Sequence, residues 1–426
     1  MYKLETVEIL GFWGSKTIET SFFENVNIFI GRNGTGKTTF INTLQAALSV
    51  DVQMLAVVDF TKIVFNLKGD KSSKKVTVEK IINDNPYISI KYKISTKVFE
   101  FFILPRDLDY TRRRAMHPKY IENIKLCKQE MNKILMLKWL SVHRELSADS
   151  GDQYYAPKKE QTEKPSVDIR LDVLMQQLTQ YQLYLEYRSN QLSTNFQKNI
   201  LRALLYNKEF DIFKFDKWQA SEADKIKEGL IHAYKDLKVF DDDVEKQIEN
   251  HTIRISESIS NLKESTINKK GISVEDVLPL VLLNRTNYII ELSKKLEESR
   301  NDIFEQVSKY KIILEEYIKD KKLVFDKKSG QIKLIRSGKE IALSELSSGE
   351  KQILILLTEA LLQNQATCVF IADEPELSLH IEWQQKLIKS ITELNPNGQV
   401  IVATHSPEIA GMWGDFIIDM ESVIKK

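Results

Sequence analysis

The stretch VNIFIGRNGTGKTT at residues 26–39 restricts what this chain can fold into more than any other. Val26, Ile28, Phe29 and Ile30 make a short apolar run of strand type, and beyond the glycines Phe40, Ile41, Leu44, Ala47 and Leu48 recur at helical spacing. Strand, glycine-rich turn and helix in this order are the context that the phosphate-binding pattern G-x-x-x-x-G-K-[ST] requires, and Gly31, Gly36, Lys37 and Thr38 fill its fixed positions. Glycine lets the backbone turn tightly and aim its N–H groups at a polyphosphate, and the positive end of the following helix adds to the attraction. Arg32, Asn33, Gly34, Thr35, Gly36, Lys37, Thr38 and Thr39 are therefore the expected set for a nucleoside triphosphate. In that set Lys37 would reach the β- and γ-phosphates, and the Thr38 hydroxyl would ligate Mg²⁺.

Further motifs follow in the second half of the chain. CVFIAD at 368–373 is an apolar strand ending in a carboxylate, with Glu374 next in line. Such a strand beside the phosphate-loop strand would let Asp373 hold Mg²⁺, directly or through water, and set Glu374 near the γ-phosphate as a candidate general base for water. Between the two motifs, LSSGEKQ at 346–352 opens an apolar helix. Ser347 is a natural N-cap there, and the hydroxyl and N–H groups of Ser347, Ser348 and Gly349 at a helix N-terminus would also receive a phosphate. His405 follows the apolar strand QVIVAT.

Phosphate loop, LSSGE, IADEP with ELSLH, and ATHSP in this order resemble the ATP-binding-cassette (ABC) ATPase heads of the SMC, RecF and OLD group. The resemblance implies an α/β fold, a P-loop NTPase head of ABC type with a mixed sheet and an antiparallel β subdomain, and ATP with Mg²⁺ as ligands. It implies that Ser347, Ser348, Gly349 and Glu350 cap the ATP held by a second copy, so that two heads close around two nucleotides. Ser378, Leu379 and His380 would touch the opposite subunit, and His405 would contact the γ-phosphate as a catalytic switch beside Glu374. Ser348 replaces the glycine, and Glu350 the glutamine, of the family's commonest form, and Glu350 thereby brings an acid near phosphate. No glutamine suits the family's Q-loop position: Gln53 comes too soon after the first helix and Gln129 lies in a helical pattern. Arg144 is a weaker candidate for reaching the nucleotide.

Strand character marks residues 4–9, 17–22 and 26–30, then the runs KIVFNLKG, KKVTVEKIIND, YISIKYKI and VFEFFILP between 62 and 105, expected as an antiparallel sheet beside the nucleotide site. A helix is expected from about 120 towards 144, and residues 147–166 read as a polar linker. Leu171, Leu174, Leu178, Tyr181 and Leu185 then recur at coiled-coil spacing, as do Ile303, Val307, Tyr310, Leu314 and Tyr317. Two antiparallel arms and a compact helical bundle both satisfy these stripes. Strands return at 321–336 with a turn at Ser329 and Gly330. The expected organisation is head lobe I at 1–145, a helical or coiled-coil insertion at 146–320 and head lobe II at 321–426.

Lys and Arg number 61 against 60 Asp and Glu, so net charge makes no case for nucleic acid or a membrane surface. The basic residues at 71–75 and 112–114 read first as solvated turns. Cys127 and Cys368 have no metal-type spacing and read as reduced thiols. The N-terminus lacks the pattern of a secretion signal and no stretch reaches ~18 uninterrupted apolar residues, so a cytoplasmic location without a membrane is expected. A short head with a modest insertion and no second catalytic centre resembles the ATPase subunits of bacterial antiphage systems such as PARIS and Septu. That resemblance implies a head dimer or larger ring working with a separate effector such as a TOPRIM or HNH nuclease. A RecF-like ATPase that clamps DNA is the alternative, and a transporter ATPase fits poorly because such heads lack an insertion of this length.

Overall fold

A computed structural model describes residues 1–82, 87–103, 118–140, 166–205, 223–268, 274–326 and 332–425. The chain divides into two compact units, one made of Met1–Thr179 with Gln306–Lys426 and the other of Gln180–Glu305. The first unit contains two large sheets. Alternating apolar residues form β1 (Lys3–Phe12) and β2 (Lys16–Ser21), and the almost continuously buried run VNIFI forms β3 (Val26–Ile30). After α1 (Lys37–Ser49) and α2 (Val52–Val57), the four expected strands appear as β4 (Lys62–Lys68), β5 (Ser73–Ile82), β6 (Ile88–Ile94) and β7 (Lys97–Ile103). They join β1 and β2 in an antiparallel sheet whose far edge is the C-terminal β15 (Ile424–Lys425), in the order β15-β2-β1-β4-β5-β6-β7.

The second sheet runs β14-β3-β13-β12-β8, built from β8 (Leu137–Trp139), β12 (Val369–Asp373), β13 (Gln399–Ala403) and β14 (Ile417–Asp419) around β3. Every pairing in it is parallel. Continuous burial of β12 and β13 explains why VFIAD and QVIVA are apolar runs without alternation. Helix α1 shares one core with Val7, Ile9, Phe65 and Tyr92 of the antiparallel sheet and with Val369, Ile371 and Ile401 of the parallel one. A helix enclosed between two layers must be apolar on nearly all sides, and Phe40, Ile41, Leu44, Ala46, Ala47 and Leu48 are all buried. The layers are also bolted by buried Gln399, whose Oε1 accepts from Leu4 N–H at 2.8 Å and whose Nε2 donates to Leu4 O and Phe23 O, each at 2.8 Å. The β1–β2 ladder begins only at Thr6, and Gln399 supplies hydrogen bonds to Leu4 beyond its end.

Two expectations are corrected. The helix expected to run towards Arg144 is α3 (Pro118–Ile134), and the residues after it become β8. The edge of β12 offers unpaired backbone groups, filled by Val369 N–H on Met136 O and Leu140 N–H on Ile371 O, each at 2.8 Å, and this pairing overrides local helix preference. The second correction concerns β12, which does not lie beside the phosphate-loop strand: β13 separates them. Parallel strands need only a crossover connection, so chain order does not fix spatial neighbours. The turn at 83–86, the basic residues at 112–114, Arg144, most of the 147–166 linker and the turn at 329–330 lie outside the described residues.

The return of the chain to the head is strand-rich, with a small antiparallel sheet of β9 (Lys322–Phe325), β10 (Ile332–Arg336) and β11 (Lys339–Ile341). Helices α8 (Ser348–Leu362), α9 (Ile381–Leu394), α10 (Pro407–Gly411) and α11 (Met420–Val423) complete this half. The long helices are α4 (Ser166–Ala203) and α7 (Val274–Tyr317), with α5 (Ala223–Asp236) and α6 (Asp242–Asn268) between them in sequence. In the second unit, Ile226, Leu230, Ile248, Ile255, Leu283 and Ile290 form one core, and Phe196, Ala233 and Leu296 another. Shorter helices thus pack with the long ones as in a bundle. The stripe at 303–317 has a different partner, because Tyr310 and Tyr317 share hydrogen bonds of 2.8 Å with Thr358 of α8 and Ser390 of α9.

Candidate functional site

The glycine-rich turn after β3 opens directly into α1. Gly36, at φ 95°, is the N-cap of α1, a left-handed conformation that glycine adopts without penalty. A Cβ there would also meet the Trp13 ring at 2.8 Å. Trp13 lines a cavity of about 160 Å³ together with Gly34, Gly36, Lys37, Thr38, Thr39 and His405. Its own φ is 53°, and the ring stacks on Phe12 with centroids 5.0 Å apart and carries the Lys16 ammonium 4.8 Å above its face. A strained, half-exposed tryptophan against a phosphate loop escaped the sequence analysis; the glycines at 11 and 14 that permit the turn were its only trace.

Lys37 is buried, and its Nζ donates to Gly31 O at 2.6 Å and Arg32 O at 3.1 Å. Burial draws its pKa below the usual lysine range, against the opposing pull of the Glu374 and Asp373 carboxylates. Although β13 intervenes between the strands, the Thr38 hydroxyl still donates to Asp373 Oδ1 at 3.3 Å. Burial raises the Asp373 carboxyl above the usual range and the Glu374 charge adds to this, while Thr38, Lys37 and His405 oppose it. The donor set suits Mg²⁺, because the Thr38 hydroxyl and the Asp373 carboxylate are hard oxygens lying side by side. Among the described residues no cluster of three or more His, Cys, Asp or Glu is placed to hold a metal.

Glu374 leaves β12 in a left-handed conformation, φ 46°, with its N–H bonded to Ala403 O at 2.8 Å. Such a conformation costs about 1 kcal/mol or more for a residue with a side chain, and it aims the carboxylate across the sheet edge. Its Oε1 lies 3.7 Å from Nε2 of His405, which lines the cavity, and both side chains are part-exposed. The strand order explains the pairing, because β13, which delivers His405, runs directly beside β12, which delivers Glu374.

The structure brings Gly34, Gly36, Lys37, Thr38, Thr39, Asp373, Glu374 and His405 together. Arg32 and Asn33 are exposed on the turn, and the Thr35 hydroxyl closes it by donating to Arg32 O at 2.9 Å. Ser347, Ser348, Gly349 and Glu350 do not line the cavity. They form the first turn of α8, where the Ser347 hydroxyl accepts from Glu350 N–H and the Glu350 carboxylate answers on Ser347 N–H at 2.9 Å. The other carboxylate oxygen of Glu350 takes Lys321 Nζ at 2.6 Å, so its charge is neutralised within the chain. Gly349 packs so closely that a Cβ would meet Ser378 O at 2.7 Å. Leu377 and Ser378 are exposed, Leu379 is buried, and the His380 ring caps α9 by accepting from Glu382 N–H at 3.4 Å. Gln53 falls in α2 and Gln129 in α3, so the Q-loop position stays unassigned. Of the lysines at 71–75, Lys71 is exposed on the turn before β5, whereas Lys74 and Lys75 belong to β5 itself, with Lys74 Nζ 5.3 Å from the Tyr2 ring.

Sequence reasoning also passed over Glu376, a carboxylate only 7% exposed beside the strand end. Its Oε1 accepts from the Thr404 hydroxyl, from His405 N–H at 3.2 Å and from Ser406 N–H at 3.3 Å. Burial raises its pKa, partly offset by these bonds. Buried Gln352 of α8 donates to Pro375 O at 2.6 Å and ties the same loop from the other side.

A phosphate loop on β3, a hydroxyl–carboxylate pair across the sheet and a glutamate–histidine pair at its edge define an ABC-type nucleoside triphosphatase. The chain matches the AAA ATPase domain family AAA_15 over residues 2–410 and belongs to it. As a member of that family it is an ATPase. One relative is the Retron Vc95 probable ATPase of Vibrio cholerae serotype O1 biovar El Tor, 24% identical over 255 residues, which are 52% of this chain and 47% of that protein. The match thus spans about half the length of the relative. Similar solved structures include an Smc head domain with an extended coiled coil, bound to the C-terminal domain of ScpA, from Pyrococcus furiosus (13% identity, 96% of this chain and 92% of the other, TM-score 0.40). An Smc head domain with a coiled coil and joint from Pyrococcus yayanosii is alike to the same degree (13%, 96% and 93%, TM-score 0.39). Among the described residues no helix is long and apolar enough to cross a membrane.

Proposed function

We propose that this ATPase works as a pair of heads closed around ATP, and that the closed pair is sensor and scaffold for a separate effector, a nuclease or toxin, in bacterial antiphage defence. The observation that carries the pairing is the position of Ser347, Ser348 and Gly349, which begin α8 but do not line the cavity that holds Lys37. Their N–H groups and hydroxyls suit a phosphate, and a second copy is the natural source of one. A relative named as the probable ATPase of a retron supports a component of a multi-part system.

Within one head, the phosphate-loop N–H groups and Lys37 hold the β- and γ-phosphates, and Lys37 exchanges its carbonyl partners for them. Thr38 and Asp373 would hold Mg²⁺, which when bound neutralises charge on the phosphate oxygens. Glu374 takes the proton of the attacking water, and His405, 3.7 Å away, contacts the γ-phosphate. The proposed division is lobe I at 1–145, insertion at 146–320 and lobe II at 321–426, with the insertion conveying head closure to the effector.

Phosphate release from ATP by the wild-type chain and by Lys37→Ala, with and without duplex DNA, tests this. The expected result is turnover indifferent to DNA and lost in the variant. Undiminished turnover by Lys37→Ala would remove the site, and stimulation by DNA that falls with added salt would favour a DNA clamp instead.

A further inference from the structure

Glu376 is a costly residue where it stands. Its carboxylate is buried, no Lys or Arg pairs with it among the described residues, and Oε2 has no hydrogen-bond partner. A buried anion without a cation is disfavoured unless its hydrogen bonds accomplish something that an apolar side chain cannot. Here all three side-chain bonds converge on one oxygen and come from one loop: the Thr404 hydroxyl and the N–H groups of His405 and Ser406.

That loop is held from several directions. Thr404 N–H bonds Phe29 O of the phosphate-loop strand at 3.1 Å, and the Ser406 hydroxyl donates to Gln384 Oε1 at 2.7 Å. Gln384 in turn donates to Leu379 O at 2.9 Å, within the segment that follows Glu376. On its other side Glu376 is two residues from Glu374, whose backbone N–H reaches Ala403 O. Glu376 therefore joins the two loops where one presents His405 to the cavity and the other sets Glu374 3.7 Å from it.

We propose that Glu376 is a positioning residue, its carboxylate fixing the backbone of His405 so that the imidazole stands opposite Glu374. It touches neither nucleotide nor water, and its effect passes through His405. This rests on the assignment of His405 as the γ-phosphate contact. Without the three bonds the segment keeps Thr404 N–H on β3 and the Ser406 hydroxyl on Gln384, but His405 N–H loses its bond to Glu376 and the imidazole its fixed distance from Glu374.

The test compares kcat at saturating ATP, calorimetric ATP affinity and melting temperature for the wild type, Glu376→Ala, Glu376→Gln, Thr404→Val, His405→Ala and the Glu376→Ala/His405→Ala pair. Glu376→Ala should lower kcat about tenfold or more with affinity within about twofold, because only the catalytic step depends on the imidazole. Glu376→Gln, which keeps an acceptor oxygen, should recover most of the loss. The double variant should be no slower than His405→Ala alone, since residues acting through one another are not additive. Thr404→Val removes the hydroxyl's bond to Glu376 and its acceptance of Ser406 N–H at 2.9 Å, opens no cavity, and should lower kcat about threefold. If Glu376→Ala does not fold, Thr404→Val decides, a wild-type rate overturning the proposal. A normal kcat in Glu376→Ala, no rescue by Glu376→Gln, or a multiplicative double variant would also overturn it. A normal rate in His405→Ala would instead remove the assignment on which the proposal stands.

Discussion

Gly349→Ala sets two physical effects of opposite sign against each other. Gly349 lies in the first turn of α8 at an ordinary helical φ, so local considerations favour alanine, by up to ~1 kcal/mol in helix propensity and unfolded-chain entropy. The added Cβ would, however, stand 2.7 Å from Ser378 O, where ordinary contact begins at 3.4 Å. The loop would have to retreat by roughly 0.7 Å, and the obstructing atom is backbone, which has no rotamer to escape into. Ser378 is already at φ 68° and Leu379 beside it is buried, so little slack is left. Overpacking of this kind costs ~1–3 kcal/mol, which outweighs the propensity gain and leaves a net loss of about 1 kcal/mol. The displaced loop begins at Glu374, so ATP turnover should fall about tenfold. Urea denaturation followed by a signal from the head, together with phosphate release, measures both quantities. A raised urea midpoint with normal turnover would refute the reasoning, for it would show that the approach of α8 to Ser378 is not close.

Two further outcomes are expected. Burial raises the Glu350 pKa, but Lys321 and the Ser347 N–H and hydroxyl outweigh it and hold the carboxyl below its usual range. A depressed pKa contributes stability that is complete above the unfolded value and lost as pH falls through the folded one. Glu350→Gln should therefore cost ~1–2 kcal/mol at neutral pH and nothing at a pH below the folded value, discounted because Lys321 keeps Asp320 as a partner. Urea midpoints of the two proteins that stay equally separated across that range would contradict it. Trp13→Ala should weaken ATP binding about fivefold, ~1 kcal/mol for a lost aromatic contact, and an unchanged calorimetric affinity would exclude Trp13 from the nucleotide site.

What the sequence disclosed follows from how local each signal is. The phosphate loop, the strand ends at Asp373 and His405, and the helix start capped by Ser347 are runs of consecutive residues whose conformation is set within a few positions. The four strands between 62 and 103 were legible because alternation is also local. Spatial order was not legible: chain order gives no sign that β13 lies between β3 and β12, or that MLKW leaves a helical pattern to fill the open edge of β12. Long-range polar bonds were equally hidden. Gln399 on Leu4, Lys321 on Glu350 and Glu376 on the Thr404–Ser406 loop each join residues whose side chains look unremarkable in isolation. Trp13 was obscured because an aromatic at the end of a strand reads as core until its left-handed φ is known.

Pairing of heads around ATP is most directly tested with Glu374→Gln, which keeps the shape of the side chain while removing the group that accepts the proton of water. Sedimentation of this variant, with Mg²⁺ and ATP and without nucleotide, reads the state of association while hydrolysis is blocked. The predicted result is a species of at least twice the chain mass that forms only with ATP and is absent when Ser347→Arg fills the first turn of α8 with a bulky side chain. Glu374→Gln protein that binds ATP yet stays a monomer would contradict the claim that Ser347, Ser348 and Gly349 complete the site of a second copy.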